Sequence, residues 1–404
     1  MKTTISLFLF LILSQTVFAQ WTLTNGVGTG GGNTLYTVGN DIYAGTDTKA
    51  YKTTNNGDTW IEINNGFTSS RKIKDFSYSS STSTLWCAAY SNGLFFSTNN
   101  GDEWVREFGS WTSSPVAVAT SNQFAIMGNL SNVYSTTNNG LNWITMNQGS
   151  SPSINDNLSL AINGNTIYAG CFGVYLSFLG GNSWTQINGN LTGNSRYINE
   201  LRYANNKIYI VTDAGIYSSS NNGTNWVNLN APLSSTSIWS LSVLNSNIFI
   251  GTATKTYFSS NDGANWSDIT VGLPANPNVT EISYNNQYIF AMLQTGAVYR
   301  LLKSSIIGIN TISTEVPSKY SLSQNYPNPF NPTTNIEFSL PEKSFVKLKV
   351  FDISGREVSQ LVNENLTAGT FKYDFNAENL PSGTYFYKLE TDKFSETKKM
   401  IVLK

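Results

Sequence analysis

Residues 53–60, Thr-Thr-Asn-Asn-Gly-Asp-Thr-Trp, recur almost unchanged at 97–104, Ser-Thr-Asn-Asn-Gly-Asp-Glu-Trp, and at 136–143, Thr-Thr-Asn-Asn-Gly-Leu-Asn-Trp. Three more copies end at Trp184, Trp226 and Trp266. Each has Ser or Thr seven residues before the Trp and Gly three before it (Gly57, Gly101, Gly140, Gly181, Gly223, Gly263). Five of the six have Asn five before it; the fourth copy has Leu179. Counting Trp21, the tryptophans Trp21, Trp60, Trp104, Trp143, Trp184, Trp226 and Trp266 are spaced 39, 44, 39, 41, 42 and 40 residues apart. A period near 40 is the length of one four-stranded propeller blade.

The residues between the copies fit that unit. Upstream of the Asn-Gly motif stand hairpin-like pairs of β-branched and aromatic runs: 41–45 with 50–51, 85–88 with 94–95, 167–170 with 174–175, 208–211 with 216–217, and 248–251 with 256–257. A further apolar run precedes them, as at 73–78, 198–203 and 238–243. Each repeat therefore reads as strands A, B and C, a tight turn, and a Trp-led strand D. A seventh hairpin at 288–291 and 297–299 has no Trp-led strand after it, while 21–25 is such a strand with no blade before it. Pairing the two closes the ring and removes exposed strand edges. The expected fold is all-β: a seven-bladed β-propeller closed by an N-terminal outer strand, followed by a small immunoglobulin-like β-sandwich.

The chain ends supply the rest of the domain plan. Lys2, the apolar run 7–13 and Val17-Phe18-Ala19 read as a signal peptide over 1–19. The propeller is expected over 20–302 and a linker over 303–317. Residues 318–404 change character, holding 11 Lys or Arg and 10 Asp or Glu, and lose the Asn-Gly-Trp motif. Alternating strand-like runs at 334–340, 346–351, 357–362, 370–375, 383–389 and 397–403 suggest the sandwich.

Composition narrows the function. A net charge of −1 gives no field for nucleic acid or anionic lipid. The absence of histidine removes His-based acid–base catalysis, Ser-His triads and His metal ligands. Cys87 and Cys171, two blades apart, read as two buried thiols rather than a disulfide. No phosphate-binding Gly loop or EF-type run is present, so neither a cofactor nor a metal is expected.

The repeated Ser/Thr-x-Asn-x-Gly-x-x-Trp resembles the Asp-box, or bacterial neuraminidase repeat, with Asn where that family has Asp. The short amide is expected to bond backbone two residues on inside the turn, Gly to supply an unusual φ, and Trp to pack between blades. The resemblance implies a C–D turn on the face away from a ligand site. It is shared by sialidases, xyloglucan hydrolases, sorting receptors and photosystem-assembly propellers. Residues 320–404 are similar to the type A C-terminal sorting domain of the type IX secretion system. The motifs are Leu322-Ser323-Gln324-Asn325-Tyr326-Pro327-Asn328-Pro329-Phe330-Asn331-Pro332, then Val350-Phe351-Asp352-Ile353-Ser354-Gly355-Arg356, Pro381-Ser382-Gly383-Thr384-Tyr385 and the ending 398–404. That resemblance implies the secretion machinery as partner and export through the periplasm to the surface of a Gram-negative cell.

For the propeller, the D–A and B–C loops form the open face. Arg71, Tyr90, Trp111, Arg196, Tyr197 and Trp239 are candidate binding residues there, and Asp47, Asp156 and Asp213 the candidate catalytic acids. The arginine triad of a sialidase is missing. The leading expectation is a non-catalytic module binding protein or glycan, with no transmembrane segment in the mature chain. Its alternatives are a sialidase-like glycoside hydrolase using a pair of those carboxylates and a surface scaffold.

Overall fold

The computed structural model describes residues 20–404 except 29, 68–71, 108–113, 147, 150–151, 153–156, 179–182, 231–232, 234–237, 245, 304–305, 307–308, 314–315, 367 and 378–379. The segment 1–19, together with Arg71, Trp111, Asp156, Leu179 and Gly181, lies outside the described residues.

Seven antiparallel sheets succeed one another along 20–302, each ordered A-B-C-D. Blade 1 comprises Gly32–Val38, Asp41–Thr46, Ala50–Thr53 and Ile61–Glu62. The A strands of blades 2 to 7 are Lys72–Ser79, Pro115–Thr120, Ser159–Asn163, Ile198–Ala204, Ile238–Leu244 and Val279–Tyr284. Each A strand touches the A strands of the two neighbouring blades, and that of blade 7 touches that of blade 1, so the ring is closed.

The closing element is Thr22–Leu23, which pairs antiparallel with Val298–Leu302 in the register Thr22 to Arg300 and Leu23 to Tyr299. It supplies strand D of blade 7 from the other end of the chain.

The Trp motif explains why the blades stay in register. Trp104 donates its indole N–H to the Ile63 carbonyl of the preceding blade at 2.8 Å. Trp184 donates to Met146, Trp226 to Ile187, Trp266 to Leu229 and Trp21 to Ile269, at 2.7–3.1 Å. In all five the acceptor lies three residues after the preceding blade's own Trp. Trp60 finds the Thr24 hydroxyl at that place instead, 3.1 Å away, so the chain of indole bonds runs through the N-terminal strand as well. In blade 3, Trp143 faces the Glu107 carboxyl, whose pKa burial raises and the indole hydrogen bond partly restores. A buried indole needs such a partner, and an acceptor on the next blade turns that need into a seam.

Within the turn, Ser97 Oγ accepts from Gly101 N–H at 2.9 Å and pairs with Asn99 Oδ1 at 2.8 Å. Asn99 Oδ1 in turn accepts from Glu103 N–H at 3.0 Å. Thr53, Thr136, Ser219 and Ser259 repeat the pattern. The amide therefore bonds four residues on, not two as expected. The two-residue bond belongs to the hydroxyl, as from Asn55 N–H to Thr53 Oγ1. The reason is the left-handed pair inside the loop, Asn100 (φ 58°) and Gly101 (φ 89°), which widens it until Asn99 spans it. The fourth copy lacks the Asn, and there Ser177 Oγ donates directly to the Ser183 carbonyl at 2.7 Å. Its D strand, Ser183–Gln186, is longer and carries an extra parallel strand, Gln148–Gly149.

Both cysteines are buried and neither is in a disulfide, and burial pushes the Cys171 thiol up to about 12. Each behaves as a small apolar side chain.

The C-terminal region forms two four-stranded sheets. One is ordered Ile309–Ser313, Gly369–Asn376, Thr333–Leu340, Ser321–Leu322, and the other Glu357–Leu366, Ser344–Phe351, Gly383–Glu390, Ser395–Val402. One apolar core, with Ile336, Phe338, Val346, Leu348, Tyr387 and Val402, joins the two sheets. The expected linker over 303–317 is corrected here. Ile309–Ser313 is an edge strand paired with Gly369–Asn376, because that strand would otherwise offer a bare edge.

Candidate functional site

The A strands line a central channel, and their geometry decides what faces it. Six of the seven carry a β-bulge near their start, between Gly32 and Thr34, Ile73 and Asp75, Pro115 and Ala117, Ile198 and Glu200, Ile238 and Ser240, and Val279 and Glu281. A bulge re-aims the side chain that follows it. The residues at that position are Thr34, Asp75, Ala117, Glu200, Ser240 and Glu281, with Ser159 at the same level in blade 4.

Three of them reach the following blade. Asp75 accepts from Val118 N–H at 3.0 Å, Ser159 from Leu201 N–H at 3.0 Å, and Glu200 from Leu241 N–H at 2.5 Å. In each case the donor sits one residue after the equivalent bulge position. The channel-facing carboxylates of blades 2 and 5 are thus also seam bonds between blades.

Arg202 rises from blade 5 two residues beyond Glu200. Its guanidinium pairs with Glu200 of its own blade and, at 3.1 Å, with Glu281 of blade 7. The Glu281 and Glu200 carboxyls also act on each other, and each is harder to ionise than an isolated carboxyl. Burial pushes Glu200 up to about 7 and Asp75 up to about 6. Burial, then the charge of Glu200, holds Glu281 well above the usual carboxylate range. Arg202 keeps 39% of its side-chain surface accessible, facing the channel.

This cluster stands between two cavities: Asp75, Arg202 and Glu281 line both, and Glu200 lines the second. The one toward the A–B turns, of about 540 Å³, is bounded by Tyr36, Ser77, Tyr203, Tyr284, Asn285 and Lys303. The one toward the loop face, of about 530 Å³, is bounded by Asn33, Asn157, Asn199, Asp213, Trp239 and Gln294. Among the described residues no cluster of His, Cys, Asp or Glu is arranged to hold a metal ion.

The sequence-derived candidates fall into separate groups. Asp213 and Trp239 line the loop-face cavity. Asp213 accepts from Asn199 Nδ2 at 3.0 Å, and that amide also donates to the Ile238 carbonyl of the next blade. Asp47 is held the same way by Asn33 Nδ2 at 3.1 Å and pairs with Lys72 at 3.4 Å. Among the described residues no hydrogen bond or ion pair joins Asp47 to Asp213. Arg196 and Tyr197 join Phe172 instead: the guanidinium stacks on the Phe172 ring at 5.3 Å, and that ring meets Tyr197 edge-on at 4.8 Å. Tyr90 packs against the core between blades 3 and 4.

Asp75, Glu200, Arg202 and Glu281 were missed as a group by sequence reasoning. The available signal was a charged residue at one level of three A strands, in Asp75-Phe76, Glu200-Leu201-Arg202 and Glu281-Ile282, where the innermost strand should be most apolar.

The cluster has a pH consequence. Carboxyls whose folded pKa is raised bind protons more tightly folded than unfolded. Their contribution is therefore full below about pH 4 and is lost as pH rises through about 6 to 7. Thermal unfolding followed from pH 5 to 8 should show a falling melting temperature, and Glu281→Gln, which keeps a donor toward Glu200, should flatten that fall.

Residues 324–403 match the family described as a secretion system C-terminal sorting domain. A chain ending in this domain is addressed to the type IX secretion system, and so to secretion or the cell surface. Among solved structures, YCF48 bound to D1 peptide is similar at 17% identity and a TM-score of 0.57, over 70% of this chain and 95% of that one. PorZ, a surface component of the type IX secretion system of Porphyromonas gingivalis, is similar at 15% identity and 0.56, over 95% of this chain and 61% of PorZ. The Niastella koreensis GH74 enzyme follows at 14% and 0.54, over 68% and 43%. At these identities the likeness shows the β-propeller fold. This chain spans less than two thirds of PorZ and less than half of the GH74 enzyme. No curated protein matches the chain. Among the described residues no helix is long and apolar enough to cross a membrane.

Proposed function

We propose that the protein is an exported, non-catalytic propeller that binds a protein or glycan ligand in its loop-face cavity at the surface of a Gram-negative cell. Residues 1–19 would act as its signal peptide, 20–302 as the binding ring and the C-terminal sandwich as its export address. The observation that carries the reading is the cavity itself. Its volume is in the range of ligand sites, an indole stands in its wall, and amides from Asn33, Asn157, Asn199 and Gln294 surround it. Aromatic faces with amide donors and acceptors suit sugar hydroxyls and peptide backbone alike.

The charge of the floor argues against a sialidase-type substrate. Arg202, the one guanidinium among its described residues, is already engaged by two carboxyls, so beside Lys74 an anionic ligand would meet Glu200, Glu281 and Asp75. The second reading is a glycoside hydrolase. It is favoured by Asp213 in the cavity wall and by Glu200 and Glu281, whose raised pKa values suit the general-acid half of such a carboxyl pair.

Screening the protein on glycan and peptide arrays, and on chromogenic glycosides, separates the two. Binding should fall about tenfold with Trp239→Ala, on the scale of one interface aromatic, and no glycoside should turn over. Turnover abolished by Asp213→Asn or Glu200→Gln would establish the hydrolase instead.

A further inference from the structure

The C-terminal segment 321–330 joins the two sheets of the sandwich at one side. Ser321–Leu322 pairs with Thr333–Leu340, and the pairing continues through Ser323 N–H to the Glu337 carbonyl and two reciprocal backbone hydrogen bonds between Tyr326 and Asn335 at 3.0 and 2.9 Å. The segment then crosses to the free edge of Ser395–Val402. There Phe330 N–H bonds the Ile401 carbonyl at 3.0 Å, and Asn328 Oδ1 accepts from Ile401 N–H at 2.9 Å. Gln324 Nε2 caps the Lys399 carbonyl at 2.8 Å. Both sheet edges are thereby covered.

The corner residue of this crossing does not share its neighbours' burial. Asn325 is buried and ties the Pro327 carbonyl and the Thr334 hydroxyl, while its own N–H bonds Tyr387. Leu322 and Phe330 are in the core. Tyr326, between them, is 79% exposed, more than any other aromatic among the described residues. Covering an edge does not require a phenol ring in water. A large aromatic held on a backbone fixed at both ends loses little entropy when it inserts into a pocket, which is the property of an interface anchor. Exposed Lys399, whose carbonyl accepts from Gln324 and Asn328 on either side of Tyr326, brings a cationic residue to this corner of the domain.

We infer that Tyr326 is the recognition anchor of the C-terminal domain, inserting into an apolar pocket rimmed by carboxylates on a protein component of the export machinery. The inference rests on the export reading above. The matched region begins at residue 324 and so includes this corner, which ties the feature to the sorting domain rather than to this propeller.

The experiment expresses the full chain in its native host with Tyr326→Ala, Tyr326→Phe or Lys399→Glu, alongside a chain lacking 318–404. Cells are fractionated, and each purified variant is melted. Tyr326→Ala should lower the exported fraction at least about tenfold, equivalent to losing one anchor side chain. It should accumulate folded in the periplasm and melt at the parent temperature, while Tyr326→Phe exports and Lys399→Glu is impaired. Full export of Tyr326→Ala beside a retained truncation overturns the anchor and leaves the export reading standing. Export of the truncation overturns the reading itself. A Tyr326→Ala protein that melts well below the parent marks a structural residue and also overturns the anchor, as does normal export of Lys399→Glu with Tyr326→Phe retained.

Discussion

Removing residues 21–25 from a chain that begins at residue 20 should lower the melting temperature of the propeller by on the order of 10 °C or more. Trp21 is 1% exposed, packed against Phe249, Phe258, Ile269 and Leu301, and truncating a buried Trp costs about 3–5 kcal/mol. The deletion also breaks the bonds from Trp21 N–H to the Val271 carbonyl and from Thr24 N–H to the Val298 carbonyl. It strands the Trp60 indole, whose acceptor is Thr24. Against a total stability of roughly 5–15 kcal/mol, such a loss is a large share. Leu23→Ala on the same strand is the control: that side chain is exposed, and the change should stay within about 0.5 kcal/mol. Calorimetry of the truncated, Leu23→Ala and parent proteins checks both. A truncated protein that melts with the parent would mean that the N-terminal strand does not hold the ring.

The fold was legible because its determinants are local and repeated. Each motif carries its own turn chemistry in eight residues, so the C–D turn and the Trp-led strand can be read without knowing what they touch. The unpaired strand at 21–25 was legible for a related reason, since a D strand without a blade must find one. What could not be read was which carbonyl each indole would reach, or that the amide would span four residues, because both depend on the φ values of Asn100 and Gly101 and on the neighbouring blade. Ile309–Ser313 was hidden similarly: its strand character comes from a partner 60 residues on, not from its own pattern.

The candidate site was legible at its rim and hidden at its floor. Asp213 and Trp239 sit where loop-face reasoning placed them, while Arg196 and Tyr197 joined Phe172 as a separate group. The floor residues belong to strands that read as core, and their meeting is a product of ring closure. Arg202 and Glu281 are 79 residues apart in sequence and in blades that are not adjacent. Only the curvature of the ring brings them together across the channel.

The second large effect concerns where the protein goes. The sandwich has its own apolar core, with none of the propeller residues in it, and the blades bury their residues against each other. Removing 318–404 should therefore leave the propeller folded, although it takes away the partner strand of Ile309–Ser313. The same removal takes out the whole matched sorting region. Fractionation of the native host expressing the full chain and the chain lacking 318–404 is the measurement that bears most directly on the account of an exported propeller. The account predicts a folded, protease-resistant propeller held in the periplasm when 318–404 is absent, and the same propeller at the surface or in the medium when it is present. Undiminished surface or medium localisation of the truncated chain would contradict it.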